Sequence, residues 1–322
     1  MKGKVFKALA EAARAGEPIA LGIISGVKGS SPQKLGAKAI FYTDGRIEGT
    51  LGGGCLEAEI QQRAIQCLKT NRPATFDLLL DHDFGWDDGL ICGGKVQGLI
   101  LPNIQRLGAD FWSELAEKRT TLNWGVRQDF SVGRMPEAST AGDWLYQETV
   151  TAPWGFWIAG AGHIAQAVAP LALQLDFAVT VFDDRPVLAS HQFFPQEIAL
   201  RADVWDRLLE TPLPDRPCFG LIVTRGHRHD ALVLKSWIQK PFVFLGMIGS
   251  TRKARTIFEH FLDEKIATPE QLQRVACPVG LKIGSTSVME IAVSIMAQFI
   301  EKRAQEIHPH SSKQKPTQIL SK

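Results

Sequence analysis

The chain has 322 residues, of which 45% are hydrophobic and 22% charged, an ordinary composition for a soluble protein of two domains. Its 36 basic and 34 acidic side chains leave a net charge of +2, which argues against a surface built for nucleic acid or for a membrane. No apolar run approaches the roughly 18 residues of a membrane-spanning helix, so no membrane segment is expected.

The cysteines and the N-terminus indicate the cellular compartment. The five cysteines are odd in number and form no CxxC pair, which indicates neither a disulfide framework nor a structural zinc site. The N-terminus opens a charged amphipathic pattern and lacks the long apolar core of a secretory signal. We therefore expect a cytoplasmic protein.

The N-terminal part of the chain alternates helical and strand patterns. Apolar residues at helical spacing predict helices, and Asp44-Gly45 between two extended segments predicts a tight hairpin. Residues 104–152 are polar and interrupted, and we interpret them as a small extension with one helix and short strands. The predicted elements are a helix at 5–14, a strand at 18–24, hairpin strands at 37–42 and 46–49, a helix at 55–69, strands at 75–80 and 96–101, and a helix at 109–118.

A glycine-rich turn dominates the C-terminal half. Gly160-Ala161-Gly162-His163 follows an apolar run at 155–159, and a second apolar run at 178–182 ends in Asp183-Asp184-Arg185. Strand, glycine turn, helix, strand and acid in this order are typical of a dinucleotide-type βαβ unit, whose glycines let a pyrophosphate approach a helix N-terminus. The pattern fixes a fold more firmly than a function, because many proteins use this turn for other phosphate ligands.

Near-continuous apolar runs at 219–224 and 242–246 complete the fold prediction. Such runs are typical of parallel strands covered on both faces, and each precedes a helical segment. We therefore predict an N-terminal α/β domain at 1–152, including the extension, followed by a Rossmann-like doubly wound parallel-sheet domain at 153–303. Residues 304–322, rich towards their end in Ser, Lys, Gln and Pro, are predicted to form a disordered tail.

Two N-terminal motifs are candidates for chemistry. Gly52-Gly53-Gly54 precedes a helix and leaves backbone N–H groups to face an anion, and Cys55 lies in the first turn, where the helix dipole favours the thiolate. A tight turn with a small packed cysteine explains the same residues equally well. Gly29-Ser30-Ser31 places small residues and hydroxyls before a strand, which suits an oxyanion contact or an ordinary flexible loop.

A third N-terminal motif, Cys92-Gly93-Gly94, follows an acid-rich loop at 81–89 that contains a histidine. Glycines after a cysteine give the backbone and the thiol room to approach a ligand, and simple turn packing accounts for them as well. Because Asp- and Gly-rich loops are usually solvated turns, a cation site in this loop is the less favoured interpretation.

Turns in the C-terminal half add polar groups at the ends of predicted strands, where open α/β sheets bind ligands. His227 and His229 follow one strand and are candidates for a metal or for proton relay, although two histidines are incomplete for catalytic zinc. Asp230 is expected to cap the next helix. The turn after the following strand contributes Gly246, Gly249, Ser250 and Arg252 as candidate anion contacts.

The ordered motifs resemble the XdhC/CoxI family, the accessory proteins of xanthine dehydrogenase and related molybdenum hydroxylases. They occur in family order across nearly the whole chain apart from residues 104–152 and the tail. Two positions depart from the family pattern, because Gln33 and Val288 stand where a basic residue and a proline are expected. The matching motifs are Gly29-Ser30-Ser31-Pro32, Gly52-Gly53-Gly54-Cys55-Leu56-Glu57, Cys92-Gly93-Gly94, Gly160-Ala161-Gly162-His163, Thr224-Arg225-Gly226-His227, Gly246-Met247-Ile248-Gly249-Ser250, Gly280-Leu281-Lys282-Ile283-Gly284 and Glu290-Ile291-Ala292.

The resemblance implies a function that composition and spacing do not reach. Such proteins bind molybdenum cofactor, help it to acquire its terminal sulfur from a cysteine desulfurase, and hand it to an apo molybdenum hydroxylase. For this chain the resemblance implies that molybdopterin or its dinucleotide form is bound, with Cys55 and Cys92 as soft ligands near molybdenum or as a sulfur relay. We expect a cofactor-binding chaperone more than a catalyst, and a homodimer as for many such two-domain proteins.

Two other functions fit parts of the sequence. The βαβ unit places Asp183 or Asp184 for a ribose and Arg185 for a 2′-phosphate, which is compatible with an NAD(P)-dependent oxidoreductase. A non-catalytic scaffold that docks two enzymes is the third possibility. The candidate residues are Cys55 and Cys92 for chemistry at molybdenum or sulfur; Gly29, Ser30, Ser31, Gly52, Gly53, Gly54, Gly160, Gly162, His163, Asp183, Arg185, Gly246, Gly249, Ser250 and Arg252 for cofactor binding; and His227 and His229 for a metal.

Overall fold

The computed structural model divides the chain into two compact units, Met1–Ala152 and Pro153–Lys322. Within the described part of the chain, no helix is both long and apolar enough to cross a membrane. The structure describes residues 2–29, 34–80, 94–117, 121–136 and 141–307.

An antiparallel five-stranded sheet organises the N-terminal unit. The hairpin predicted at Asp44-Gly45 is confirmed, with Gly45 at a φ of 91° that favours glycine. The strands are β1 (Ile19–Lys28), β2 (Lys38–Tyr42), β3 (Ile47–Gly49), β4 (Ala74–Leu80) and β5 (Gly94–Pro102), in the spatial order β3-β2-β1-β5-β4.

Helices cover both faces of this sheet. Helix α2 (Gly54–Thr70) buries an apolar stripe against one face, as its helical spacing predicted. Helix α1 (Lys2–Ala15) packs on the other face, because alternate residues of β1 point to opposite sides. The stripe of α2 consists of Leu56, Ile60, Ala64 and Cys67.

The extension forms an integral part of the N-terminal unit. Helix α3 (Ala109–Glu117) packs on α1, and a small antiparallel sheet closes the same core. Its strands are β6 (Leu122–Arg127), β7 (Val132–Arg134) and β8 (Trp144–Val150), in the order β7-β6-β8. The rings of Phe6, Trp112 and Trp124 meet within this core at centroid distances of 5.9–6.3 Å.

The C-terminal unit is a six-stranded parallel sheet with helices on both faces, so the predicted Rossmann-like doubly wound fold is confirmed. The spatial order is β11-β10-β9-β12-β13-β14. The elements are β9 (Gly155–Ala159), α4 (His163–Gln174), β10 (Ala178–Asp183), β11 (Ala199–Ala202), α5 (Trp205–Glu210), β12 (Cys218–Ile222), α6 (His227–Trp237), β13 (Phe244–Met247), α7 (Thr251–Asp263), α8 (Pro269–Gln273), β14 (Val275–Ala276) and α9 (Val288–Ile307).

The strand order reverses between β9 and β12, which makes the carboxyl ends of these two strands the switch point of the sheet. Helix α9 continues to Ile307, so the predicted start of the tail at residue 304 is too early. Its last turn, residues 304–307, reads Ala-Gln-Glu-Ile, and three of these four residue types are good helix formers, whereas Ser and Pro begin to accumulate only further on. Residues 308–322 lie outside the described part.

Candidate functional site

The triple-glycine turn of the N-terminal unit has a backbone that favours glycine. Gly52, Gly53 and Gly54 have φ values of 130°, 77° and 56°, a region that side-chain-bearing residues rarely adopt. Gly53 is the N-cap of α2, and no side chain caps this helix terminus. A Cβ atom built on Gly53 would meet nothing within 4 Å, so the start of α2 faces open space. Cys55 is the second helical residue and is half-buried.

Glu57 in the first turn of α2 holds the segment before the glycines. Its Oε1 accepts hydrogen bonds from the Leu51 N–H and the Thr50 hydroxyl, both at 2.6 Å. The Gly52 N–H in turn donates to Thr50 Oγ1 at 3.1 Å. The carboxylate is therefore occupied by the loop that precedes the glycines.

Several N-terminal candidates lie beyond what the structure describes. Ser30, Ser31 and Cys92 fall outside the described residues, and their predicted roles stay predictions. Gly29 directly follows β1 with a φ of 74°, a conformation that suits glycine.

The glycine turn of the C-terminal unit lies at the switch point. Gly160 has a φ of 109°, and a Cβ there would collide with the backbone of Val223, so only glycine lets the turn pack against the end of β12. Gly162 is the N-cap of α4, without a side-chain cap and with an ordinary φ of −76°. A Cβ on Gly162 would meet nothing within 4 Å. His163 follows it, exposed, as the first helical residue.

A second helix starts beside the switch point in the same way. Gly226 is the N-cap of α6, again without a side-chain cap, and the space over its Cα is open. The first turns of α4 and α6 therefore present backbone N–H groups that no side chain caps, next to the reversal of strand order. Donors arranged in this way favour an anion.

Asp183 ends β10 and is buried beside this turn. Its Oδ2 accepts from the Ala161 N–H at 2.6 Å and from Arg185 Nη2 at 2.8 Å. Its Oδ1 accepts from Arg185 Nε at 2.7 Å and from the Arg185 N–H at 2.9 Å. Burial raises the pKa of Asp183, but these hydrogen bonds outweigh burial and hold the pKa below its ordinary value.

Two arginines are held in place at this edge. Asp183 fixes the Arg185 guanidinium, and Asp184 Oδ2 accepts from Arg225 Nη2 at 2.7 Å. The two arginine side chains remain 33% and 46% exposed, so each keeps N–H groups directed away from its carboxylate. The described geometry gives the expected ribose contact no support, because Asp183 already has four hydrogen bonds.

Asp230 does not cap α6, and that prediction is wrong. The side chain lies inside the first turn, fully buried, and its Oδ1 accepts from the Thr224 N–H at 3.1 Å and the Thr224 hydroxyl at 2.6 Å. Its Oδ2 pairs with Lys253 Nζ, which also donates to the Ile248 carbonyl at 3.0 Å. The half-buried Lys253 competes more strongly for the carboxylate than the helix terminus does.

The turn after β13 contains the remaining cofactor candidates. Ser250 caps α7 by accepting from the Lys253 N–H at 3.2 Å, and Arg252 is exposed. Gly246 is buried, and a Cβ on it would collide with Val279, which indicates close packing. A Cβ on Gly249 would lie 2.8 Å from the Lys253 side chain, so this glycine makes room for the half-buried lysine.

Cys277 is a thiol beside this network that the sequence analysis did not select. Its Sγ lies near both Gly249 and Lys253. Burial raises the pKa of Cys277, and the neighbouring Lys253 charge only partly offsets this effect. No motif marks the residue, because its neighbours come from separate turns.

The predicted metal residues lie at the start of α6. His227 is exposed, whereas His229 is half-buried, with its ring 6.3 Å from the Trp205 ring. Among the described residues, no three His, Cys, Asp or Glu side chains are grouped to hold a metal ion. The metal role of these histidines stays a prediction.

The N-terminal unit contains a buried ion pair that the sequence analysis also missed. Lys38 Nζ lies 2.6 Å from Glu148 Oε2 and 3.2 Å from the Tyr146 hydroxyl. The rings of Phe6, Trp124 and Tyr146 surround the ammonium at 5.4–5.5 Å from their centroids. The one available signal was a lysine that opens an otherwise apolar strand.

Sequence profiles of two related domains match this chain. The profile described as the XdhC and CoxI family matches residues 12–80, and that of the XdhC Rossmann domain matches residues 156–299. The first match covers strands β1 to β4 of the N-terminal unit and ends before β5, and the second covers nearly all of the C-terminal unit.

Curated relatives span most of the chain at low identity. An uncharacterized protein of Escherichia coli, YqeB, is 27% identical over 88% of this chain, which spans only 43% of the length of YqeB. A Bacillus subtilis protein named as a probable component of xanthine dehydrogenase is 23% identical, with 89% of this chain and 94% of the relative covered. The molybdenum cofactor insertion chaperone PaoD of Escherichia coli is also 23% identical, with 91% and 86% covered.

A solved structure shares the fold. The crystal structure of a protein described as a xanthine dehydrogenase from Bacillus halodurans superposes with a TM-score of 0.78, at 23% identity and with 98% of each chain covered. At this identity the likeness supports the architecture and carries no information about ligands.

Proposed function

Because the chain belongs to the XdhC and CoxI family, we propose that it binds molybdenum cofactor and assists its sulfuration and insertion into a xanthine dehydrogenase-type molybdenum hydroxylase. The name of the relative PaoD, a molybdenum cofactor insertion chaperone, supports the cofactor as cargo. The name of the Bacillus subtilis relative supports a xanthine dehydrogenase as the client.

The observation that carries the proposal is the pair of uncapped helix starts at the switch point. Gly162 and Gly226 open α4 and α6 with free space over both glycines. Arg185 and Arg225 are fixed beside them by carboxylates and keep exposed N–H groups. Helix N-termini and arginines together favour a phosphate, and molybdopterin carries one.

We propose that Cys55, beside the glycine turn of the N-terminal unit, contributes to the chemistry at molybdenum or sulfur. Cys55 offers a soft sulfur donor next to an uncapped helix start, which suits molybdenum or sulfur transfer. Cys92 is proposed for the same chemistry from the sequence resemblance alone. A cysteine desulfurase as sulfur donor belongs to this part of the proposal.

A homodimer completes the proposal. Helix α9 also carries apolar residues on a face beside the one that it buries in the core, and these residues are 38–56% exposed. Exposed apolar residues aligned on one helix face favour contact with another protein surface. The stripe consists of Met289, Val293, Ile300 and Ile307.

The experiment that tests cofactor binding places a methyl group where the phosphate would approach. Gly162→Ala has an ordinary backbone conformation and no neighbour within 4 Å, so the variant is expected to fold. We expect the anaerobically purified variant to retain about tenfold less cofactor than the unmodified protein, a loss of about 1.4 kcal/mol. The measurement is pterin fluorescence after oxidation.

Gly133→Ala is the matched control, because Gly133 in β7 also has open space over its Cα and belongs to no motif. It should retain as much cofactor as the unmodified protein. Absence of bound pterin in the unmodified protein at tens of micromolar, where a μM affinity would be visible, contradicts the proposal. Equal retention by both variants contradicts the assigned site.

Cys55→Ser tests the proposed sulfur chemistry separately. We expect the variant to keep pterin binding through the C-terminal unit but to transfer a cofactor that leaves the client hydroxylase less active. Full activation of the client by a double variant at Cys55 and Cys92 would contradict the sulfur role and favour a scaffold.

A further inference from the structure

The Asp183 carboxylate has no acceptor site left for a ligand. A carboxylate offers about four lone-pair sites on its two oxygens. In this structure the Ala161 N–H, the Arg185 N–H, and Nε and Nη2 of Arg185 occupy all four, at 2.6–2.9 Å. In nucleotide-binding Rossmann folds an acid at this position accepts hydrogen bonds from the ribose hydroxyls. In this structure Asp183 therefore has no acceptor site left for a ribose hydroxyl.

Both oxygens of the neighbouring Asp184 also face arginines, although this carboxylate keeps acceptor sites. Asp184 Oδ2 accepts from Arg225 Nη2 at 2.7 Å, and Oδ1 lies 3.9 Å from Arg185 Nε. Both acids at the end of β10 therefore hold arginines. What this edge offers to a ligand is an excess of donors: the N–H groups at the start of α4 and the remaining N–H groups of two arginines.

A surplus of donors suits a phosphate and does not suit a ribose diol. A phosphate accepts through three oxygens, whereas each diol hydroxyl needs an acceptor for its own proton. A buried hydroxyl proton without an acceptor costs free energy that weakens the complex. The extended forms of molybdenum cofactor carry such a diol on their nucleotide, and the short form ends in a phosphate.

We propose that the C-terminal unit prefers the monophosphate form of the pterin cofactor to the nucleotide-extended form, with Asp183 and Arg185 as the specificity-determining pair. This inference rests on the proposed function. It assigns Arg185 two tasks, since the side chain occupies Asp183 and presents positive charge to the phosphate.

The test measures a gain of binding, because a variant that merely misfolds would lose binding. Arg185→Ala removes two of the four hydrogen bonds to Asp183 and opens acceptor sites on both oxygens. We expect NAD and CDP, which carry a ribose diol next to phosphates, to bind this variant about 10- to 100-fold more tightly than they bind Arg225→Ala, which loses the same positive charge. This is the range expected for hydrogen bonds to a charged group. Isothermal titration calorimetry measures both affinities.

Arg225→Ala is the matched control. It removes the same charge from the same edge but leaves Asp183 closed, because Arg225 pairs with Asp184, which already has open acceptor sites in the unmodified protein. No gain for NAD or CDP is expected. An equal gain in both variants, or no gain in Arg185→Ala, overturns the role of the pair.

A second experiment measures the binding of the cofactor itself. The two probes are the monophosphate form and the cytidine dinucleotide form, each released anaerobically from a molybdenum hydroxylase. We expect the unmodified protein to bind the monophosphate form at least about tenfold more tightly. Equal binding, or a preference for the dinucleotide form, overturns the inference and leaves the proposed function standing. Binding of neither form overturns both.

Discussion

Two buried carboxylates determine the local structure of the switch point. Asp183 joins the glycine turn to Arg185, and Asp230 joins the end of β12 to Lys253 at the start of α7. In each case the acid accepts from a backbone N–H of one turn and from a cation of another. Buried charges need such partners, and the pairs therefore fix the turns against each other.

Replacing Asp230 by Asn tests this role for stability. The change leaves Lys253 mostly buried without its counter-charge, and we expect the free energy of unfolding to fall by about 3 kcal/mol, the usual range for breaking such a pair. Urea denaturation of the full chain measures the loss.

Asp203→Asn is the control, because its pair with Arg207 is exposed and should contribute no more than about 0.5 kcal/mol. A loss below about 1 kcal/mol for Asp230→Asn would mean that the Lys253 pair is not a stabilising contact of the fold.

The sequence patterns identified the glycine turns and the acids at strand ends as candidate site residues. They did not identify the residues that these groups contact in the fold. The glycine turns stand out because few other residues adopt their backbone or permit their close approach. The expectation that Asp230 caps α6 followed from its place near a helix start, which is a local rule. Its actual partner Lys253 lies 23 residues further on, and only the folded sheet brings the two together.

At the scale of elements, the helix starts fall into two kinds. Helix α7 is capped by Ser250, and α9 begins with Ser287 and Glu290 as a reciprocal pair. Helices α2, α4 and α6 begin at glycines without a side-chain cap. Such starts give up some stability, and these three coincide with glycine motifs of the sequence, whereas α5 lacks a side-chain cap but begins after Val204.

The start of α9 should be sensitive to acid. Glu290 Oε2 accepts from the N–H groups of Ser287 and Thr286 and from the Thr286 hydroxyl, which lowers the pKa of Glu290 to about 2. A carboxyl whose folded pKa is depressed stabilises the protein above its unfolded pKa, near 4.5, and this contribution is lost as the pH falls towards 2.

We therefore expect the stability difference between the unmodified protein and Glu290→Gln to be constant above about pH 5 and to shrink towards pH 2. Thermal unfolding midpoints across this range measure it. Glu306→Gln, at the exposed last turn of the same helix, should show no comparable trend. A difference for Glu290→Gln that does not change with pH would exclude the cap as its origin.

Element types and bounds were largely predictable from the sequence. Helices α1, α2 and α3 and strands β1, β4 and β5 lie within a few residues of their predicted ranges, because their apolar periodicity is strong. The Lys38–Glu148 pair was not predictable, since it joins β2 to a strand of the extension more than a hundred residues away. A polar, interrupted segment gives no sign that it supplies the partner of a buried lysine.

The whole molecule consists of two units with separate cores. The N-terminal unit has one core on each face of its five-stranded sheet, and the C-terminal unit has one on each face of its parallel sheet. Through Glu148 and Tyr146 the extension enters the N-terminal core and surrounds Lys38. Burial raises the pKa of Tyr146, and the Glu148 charge adds to this effect, so the tyrosine stays a neutral partner at physiological pH.

The proposed homodimer gives a prediction for the intact protein. Val293→Glu places a charge in the middle of the exposed stripe of α9, and we expect it to convert dimers into monomers of 35.4 kDa at about 10 μM, because an unpaired charge at an apolar interface is costly. Size-exclusion chromatography with light scattering measures the mass.

Gln305→Glu, exposed on the same helix outside the stripe, is the control and should remain dimeric. A monomeric unmodified protein, or a dimeric Val293→Glu variant, would show that this stripe does not join two copies of the chain.

The outermost strands of the parallel sheet are short, since β11 has four residues and β14 has two. Exposed strand edges recruit other chains through their unpaired backbone groups, and a long flat rim is an aggregation hazard. Edge strands as short as β11 and β14 offer an incoming peptide too few backbone groups for stable strand pairing. The protein can thus accumulate without polymerising through this sheet.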